Sequence, residues 1–313
     1  MQAPVRIGAR ASALSQVQTR WVQARVASAL GAPPQDADRV APLTLMSTAG
    51  DRIQDRRLLE VGGKGLFTQE IEAALHRGEI DCAVHSLKDV PAEPPPGLVL
   101  AAFPEREDPR DAFVSEGWAD LDALPSGARL GTASLRRQAQ ALHRRPDLAV
   151  VLLRGNVETR LRKLHERECD AAVLAAAGLN RLGLSGRVRT LLDPLDAPPA
   201  PGQGALAIQT READAGAPWV QALNHPPTAL LVAAERGALE ALEGSCRSAM
   251  GAHARLEGGS LRLTVEALTP DGRERWREAG EADAAGGPEA AHALGLSLGR
   301  AVRDAAGDRL EWG

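Results

Sequence analysis

The sequence predicts a two-lobed α/β protein that ends in a smaller domain of antiparallel strands and helices. Three observations carry this expectation. A strand, turn and amphipathic helix begin at Val5 and the same pattern restarts at Ala128. The stretch KGLFTQEIEAALHRGEIDCAV (64–84) resembles RGNVETRLRKLHERECDAAV (154–173): each runs glycine, helix, acidic turn, Asp-led apolar strand. After Glu235 the pattern changes to strands separated by Gly258-Gly259 and by Pro270-Asp271-Gly272, with a final helix presenting Leu294, Leu298, Ala301 and Val302. At 313 residues the chain has room for two or three domains of roughly 100 to 150 residues. The expected division is 1–104 with 200–222, then 105–199, then 223–313.

In chain order, Val5 to Arg10 reads as a strand leading through Ser12 into a helix with Leu14, Val17 and Trp21 on one face. A strand at Leu43 to Thr48 precedes the charged, glycine-containing segment 50–65, a candidate lid. Phe67, Ile71, Ala74 and Leu75 mark the inner face of the next helix. Cys82, Ala83 and Val84 then form a short buried strand whose end is crowded with His85, Ser86, Lys88 and Asp89 before Pro91 stops regular structure. Ligands in open α/β sheets bind beyond the carboxyl ends of the strands, which makes Asp89 a candidate working carboxylate. The competing reading is a solvated Lys88–Asp89 pair in a loop.

LVLAAF (98–103) is a strand, and PEREDPRD suggests a crossing into the second lobe. The strand from Ala128 ends in Thr132 and Ser134, and the following helix opens with Leu135, Arg136 and Arg137, where hydroxyls, amides and guanidiniums can receive an anion. Ala149 to Arg154 is a further strand, and Gly155 and Asn156 start a helix carrying Val157, Leu161 and Leu164. APPAPGQG (197–204) is the return path, and ALAIQT (205–210) a strand rejoining the first lobe.

Composition bounds the function. Hydrophobic content of 44%, charged content of 25% and a net charge of −4 argue against a general nucleic-acid binder, so any cationic site must be local. The longest clearly apolar run, Ala171 to Leu179, falls short of the ~20 residues that cross a bilayer, and the N-terminal residues lack the features of a signal peptide, so a cytoplasmic protein is expected. Cys82, Cys169 and Cys246 lie far apart, without disulfide or zinc spacing, and none of the seven histidines has a metal-ligand spacing; no metal is expected. Cys82 reads as a core residue, whereas Cys246, beside Gly244, Ser245 and Arg247, lies in an electropositive turn that favours a thiolate. His85 reads as a structural hydrogen-bonding group. Arg10, Arg136, Arg137, Arg154 and Arg160 all fall at strand ends or first helical turns; several such arginines on two lobes would line one cleft and bind carboxylates bidentately.

VGGKGLF, HSLKDVP, EREDPRDAFVS, GTASLRRQ, LRGNVETRL, AAAGLNRLGL, APGQGA and EGSCRSAMG, in this order and over essentially the whole chain, resemble the motifs of the hydroxymethylbilane synthase (porphobilinogen deaminase) family. The resemblance implies two lobes of the type II periplasmic-binding-protein kind with a cleft, plus a C-terminal α+β domain. It also implies a transferase of tetrapyrrole (heme) biosynthesis that joins four porphobilinogen molecules head to tail on a covalent dipyrromethane primer. Ammonia is released, and hydrolysis frees the linear hydroxymethylbilane. By position the primer's thioether falls on Cys246 and the catalytic carboxylate on Asp89. Primer-binding positions fall on Lys88, Thr132, Ser134, Arg136, Arg137 and Arg154, and substrate-binding positions on Arg10, Ser12, Arg154, Arg160 and Gln203. Lys64 and Phe67 map to a flexible loop, and a monomer is the family expectation. Ala133 stands where many members have a second serine, and RSAMG after Cys246 departs from the usual loop. The alternative from another class is a non-catalytic, two-lobed small-anion-binding protein.

Overall fold

A computed structural model describes residues 3–52, 65–242 and 249–310. Backbone packing divides them into two compact units: residues up to 52 with 65–107 and 205–229, and residues 108–204 with those from 230 onward.

The first unit is built on a five-stranded mixed sheet. Strands β1 (Ile7–Arg10), β2 (Leu43–Met46) and β3 (Cys82–Ser86) are parallel, and β4 is Leu98–Ala102. The late strand Leu206–Arg211, β10 in chain order, runs antiparallel between β3 and β4, giving the order β2-β1-β3-β10-β4. The apolar runs in β1, β3 and β10 are nearly continuous because both faces are covered. Helix α1 (Ala13–Ala29) is capped by the Ser12 hydroxyl, and α2 spans Gln69–His76.

The face that α1 buries differs from the one its apolar spacing suggests. Ser15, Gln18, Thr19, Val22 and Val26 point inward, while Val17 is 40% exposed. The buried polar groups have partners: Gln18 accepts from the Ser86 hydroxyl at 3.2 Å and Gln23 donates to the Ala41 carbonyl at 2.8 Å. A helix over a strand end can satisfy amides there, so hydrophobic periodicity alone misses the face.

The second unit contains a sheet of the same design. Strands β5 (Asp111–Ser115), β6 (Arg129–Gly131), β7 (Ala149–Val151), β8 (Ala171–Ala175) and β9 (Thr190–Leu191) are ordered β7-β6-β8-β5-β9, with β6, β7 and β8 parallel and β5 antiparallel. Each strand has a counterpart: β6 takes the place of β1, β7 of β2, β8 of β3 and β5 of β10. The sequence repeat is thus a repeat of topology, since α2 leads into β3 as α4 (Val157–His165) leads into β8. Helix α3 (Leu135–Arg144) follows β6, and the short α5 (Ala176–Arg181) follows β8.

The same unit carries a three-stranded antiparallel sheet, β11 (Ala249–Glu257), β12 (Ser260–Leu268) and β13 (Arg275–Asp283). Gly258 and Gly259 join the first two strands with φ of 57° and 87°, the positive values a two-residue hairpin requires. Met250, Ala252, Leu263 and Val265 of this sheet pack with Leu230, Ala234 and Ala238 of α6 (Pro226–Ala241) and Val302 of α7 (Gly287–Ala306). The expected fold class, two α/β lobes and a small antiparallel α+β part, is the observed one. Among the described residues no helix is long and apolar enough to cross a membrane.

Candidate active site

In each sheet the chemistry-bearing residues gather at the carboxyl ends of the parallel strands. In the first unit, β1 delivers Arg10 and the cap residue Ser12, and β3 runs into a single 3-10 turn, Leu87–Asp89, that presents Lys88 and Asp89. Leu87 is buried and anchors this turn, while its amide donates to the Ala205 carbonyl at 3.0 Å. Arg10 stands between two carboxylates. Its Nη1 is 3.5 Å from Asp89 Oδ2, its Nε donates to both Asp51 oxygens at 3.2 and 3.3 Å, and its Nη2 also bonds Asp51. The guanidinium lies 4.1 Å from the centre of the Phe67 ring. Burial opposes ionisation of Asp51, but hydrogen bonds from Arg10 and Thr48 outweigh it, and the carboxyl titrates below its usual range. The side chains of Arg10 and Asp89 remain 22% and 29% exposed, open enough to meet a ligand.

Asp51 has no place among the candidates drawn from the sequence, and Phe67 lies in the turn before α2 rather than on the helix face. A Cβ at Gly50 would lie 2.2 Å from the Phe67 ring, so glycine there admits the aromatic beside Arg10.

Beneath this edge, His85 is buried and bonded through Nε2 to Gln209 Oε1 at 2.9 Å, and the Gln209 amide donates to Glu72 at 3.2 Å. Because the Gln209 N–H faces Glu72, its carbonyl faces His85, and His85 Nε2 is the donor. Burial lowers the His85 pKa to about 4, so the ring is neutral at pH 7, as suits a structural group. Burial likewise pushes the Cys82 thiol far up and the Cys169 thiol to about 11, which makes both poor nucleophiles.

The corresponding edge of the second unit reverses the charge ratio. Arg136 and Arg137, on the first turn of α3, share one carboxylate: Arg136 Nη1 donates to Asp111 Oδ2 at 2.7 Å, and Arg137 Nε and Nη2 donate to Oδ1 at 3.1 and 2.8 Å. The Asp111 side chain is fully buried and those of Arg136 and Arg137 only 5% and 7% exposed. Burial acts against the Asp111 charge, yet the two guanidiniums prevail and hold its pKa far below the usual range, while burial lowers that of Arg137. Gln203 completes the cluster by donating to Asp111 at 2.9 Å and to the Pro109 carbonyl at 2.7 Å, and by accepting from Arg137 at 3.3 Å.

Ser134 caps α3 by accepting from the Arg137 amide at 3.4 Å, and the Thr132 hydroxyl accepts from the Ser134 amide at 3.1 Å. Arg154 and Arg160 are half-buried at the end of β7 and on α4, and Arg160 Nε donates to the Gly155 carbonyl at 2.8 Å. The candidates of each lobe therefore cluster at its own strand ends. Asp111, like Asp51, is absent from the candidates the sequence supplies. Cys246 and Lys64 lie outside the described residues.

The family model for "Porphobilinogen deaminase, dipyromethane cofactor binding domain" matches residues 5–217, and that for "Porphobilinogen deaminase, C-terminal domain" matches 229–304. The chain belongs to the porphobilinogen deaminase family. Among its relatives, the porphobilinogen deaminase of Phenylobacterium zucineum is 64% identical over 99% of this chain and 98% of its own, and that of Caulobacter sp. strain K31 is 64% identical over 98% of each. Among solved structures, a periplasmic substrate-binding protein of an ABC transporter from Coxiella burnetii is similar at 17% identity and a TM-score of 0.44, covering 72% of this chain and 93% of that one.

The residues present fit the family's anionic cofactor. Two guanidiniums on one carboxylate leave one positive charge in excess, and Arg136 Nε is buried with no hydrogen-bond partner among the described residues. A buried, under-neutralised donor cluster of this kind is suited to a carboxylate.

Proposed function

We propose that the chain joins porphobilinogen units head to tail on a dipyrromethane primer, releasing ammonia and, after hydrolysis, hydroxymethylbilane, the linear precursor of tetrapyrroles. Membership of the porphobilinogen deaminase family across both matched regions is the observation that carries this reading. Cys246 would hold the dipyrromethane as a thioether, and that group would supply a pyrrole α-position for chain growth.

The chain's own residues supply charge and position. Each pyrrole bears an acetate and a propionate, which need cationic partners. Arg136 and Arg137, with Thr132, Ser134, Lys88 and Arg154, take carboxylates of the primer, while Arg10, Ser12, Arg154, Arg160 and Gln203 act toward those of substrate. Asp89 accepts hydrogen bonds from pyrrole N–H groups and stabilises the cation left when ammonia departs from the substrate. At about 4 Å and an effective dielectric near 20 this attraction is roughly 4 kcal/mol. Arg10, whose Nη1 lies 3.5 Å from Asp89 Oδ2, orients that carboxylate. Lys64 and Phe67 fall at positions that the family resemblance assigns to a flexible loop. The protein acts in the cytoplasm as a monomer, with domains at 1–104 with 200–222, 105–199 and 223–313.

Intact mass tests the reading. The purified chain is expected to exceed its sequence mass by two porphobilinogen units less two ammonias, and Cys246→Ala to lose that excess. A chain that stays unmodified after incubation with porphobilinogen would overturn it in favour of a non-catalytic anion-binding protein.

A further inference from the structure

The arginine pair of the second lobe is wired to the C-terminal sheet by a run of polar side chains that the proposed chemistry does not use. Gln140, one turn after Arg136 on α3, accepts from Arg136 Nη1 at 2.9 Å through its carbonyl oxygen. Its amide nitrogen donates to the Pro198 carbonyl at 2.8 Å and to Glu266 Oε1, on β12, also at 2.8 Å. Pro198 O accepts from Arg136 Nη1 as well, at 3.1 Å. The Glu266 side chain is 1% exposed, and its other oxygen accepts from Arg277 Nε at 3.1 Å and Nη2 at 2.5 Å.

The order of charges makes this relay directional. Gln140 stands between a cation and an anion, with its oxygen toward the first and its N–H groups toward the second. A flipped amide would set N–H against guanidinium and oxygen against carboxylate, so Glu266 fixes the orientation of Gln140, and Gln140 fixes Arg136. A neutral amide also leaves the excess charge of the arginine pair intact, which a carboxylate at position 140 would cancel.

We infer that Gln140 and Glu266 are positioning residues for Arg136, through which the C-terminal domain sets the anion affinity of the second lobe. The inference deepens the function proposed above and rests on it for what Arg136 binds.

Full-length Gln140→Leu, Glu266→Gln and the swap Q140E/E266Q separate positioning from packing. Three readouts serve: the labelling rate of Arg136 by phenylglyoxal, mapped by peptide mass; the primed fraction by intact mass; and KM and kcat for porphobilinogen. In Glu266→Gln an N–H replaces the oxygen facing the Gln140 amide, and the relay breaks. In the swap the carboxylate now at position 140 accepts from both Arg136 and the amide at position 266. The oxygen of that amide still faces Arg277, so the link from Arg136 to Arg277 is restored, but the donation to the Pro198 carbonyl is lost and a carboxylate oxygen is set against it. Arg136 is expected to label about fivefold to tenfold faster in Gln140→Leu and in Glu266→Gln, the loss of one charge-assisted bond. The swap is expected to label more slowly than Glu266→Gln, back toward the wild-type rate. In the two single variants the primed fraction falls or KM rises by a similar factor, with kcat of primed protein within about twofold. The swap keeps a low primed fraction or a raised KM because its charge is cancelled.

Wild-type labelling in both single variants, or labelling in the swap as fast as in Glu266→Gln, overturns the relay. So does an unchanged primed fraction together with an unchanged KM in all three variants. Where Gln140→Leu does not fold, the two volume-preserving proteins carry the comparison. A wild-type chain without the primer mass would sink the functional reading instead, while the labelling rates still judge the relay.

Discussion

The two lobes share a strand order but not a charge ratio. In the first, one guanidinium, Arg10, stands between two carboxylates, Asp51 and Asp89, in a partly open setting; in the second, two guanidiniums close on the single buried carboxylate of Asp111. Equivalent strands end in opposite chemistry: β3 leads to Lys88 and Asp89, whereas β8 leads to Ala176 and Ala177. A repeated scaffold thus offers one edge where carboxylates flank a partly open guanidinium and another where two guanidiniums are buried on one carboxylate.

The sharpest way to break this contrast is to empty its buried side. Asp111→Asn leaves two buried guanidiniums uncompensated and should cost roughly 3–5 kcal/mol of stability, measured by denaturant unfolding. A loss below about 1 kcal/mol would mean that the cluster is hydrated and not fixed. On the open side, Asp89→Asn should slow turnover by about 10²-fold or more while the primer mass is retained. Near-normal turnover would remove Asp89 from the central role.

The buried support under the acidic edge has its own signature. Because the folded-state pKa of His85 is lowered to about 4 from an ordinary 6.5, the unfolded chain binds the proton first. The stabilisation is complete above about pH 6.5 and is lost as pH falls toward 4, by on the order of 2–3 kcal/mol. His85→Asn should flatten unfolding free energy against pH over that window, and an unchanged slope would refute the assignment. The smallest effect concerns Phe67. Phe67→Leu removes the ring from Arg10 and should weaken substrate binding by about 0.5–1 kcal/mol, read as a twofold to fivefold rise in KM.

Local signals made the acidic edge legible in the sequence. An apolar strand that ends in HSLKDVP announces side chains with no structural purpose, and Asp89 is where that reasoning places it. The repeat of helix, acidic turn and strand gave the two lobes, and Gly258-Gly259 and Pro270-Asp271-Gly272 gave the C-terminal hairpins. Asp111 was hidden because its partners lie 25 and 26 residues later, and a polar run such as EREDPRD reads as a connection. Asp51 was hidden in the same way, 41 residues from Arg10. The inward face of α1 escaped because it buries hydroxyls and amides, which hydrophobic spacing counts as outward.

The antiparallel strand β10 has a consequence for synthesis of the chain. It lies between β3 and β4, yet about 100 residues separate it from β4, and the whole second-lobe sheet is encoded in that interval. The second lobe can complete its sheet once Leu191 has emerged, whereas the first must wait for Arg211 with the facing edges of β3 and β4 unpaired. At about 5–20 residues per second the interval lasts roughly 5–20 s, so the part of the protein made first is finished second.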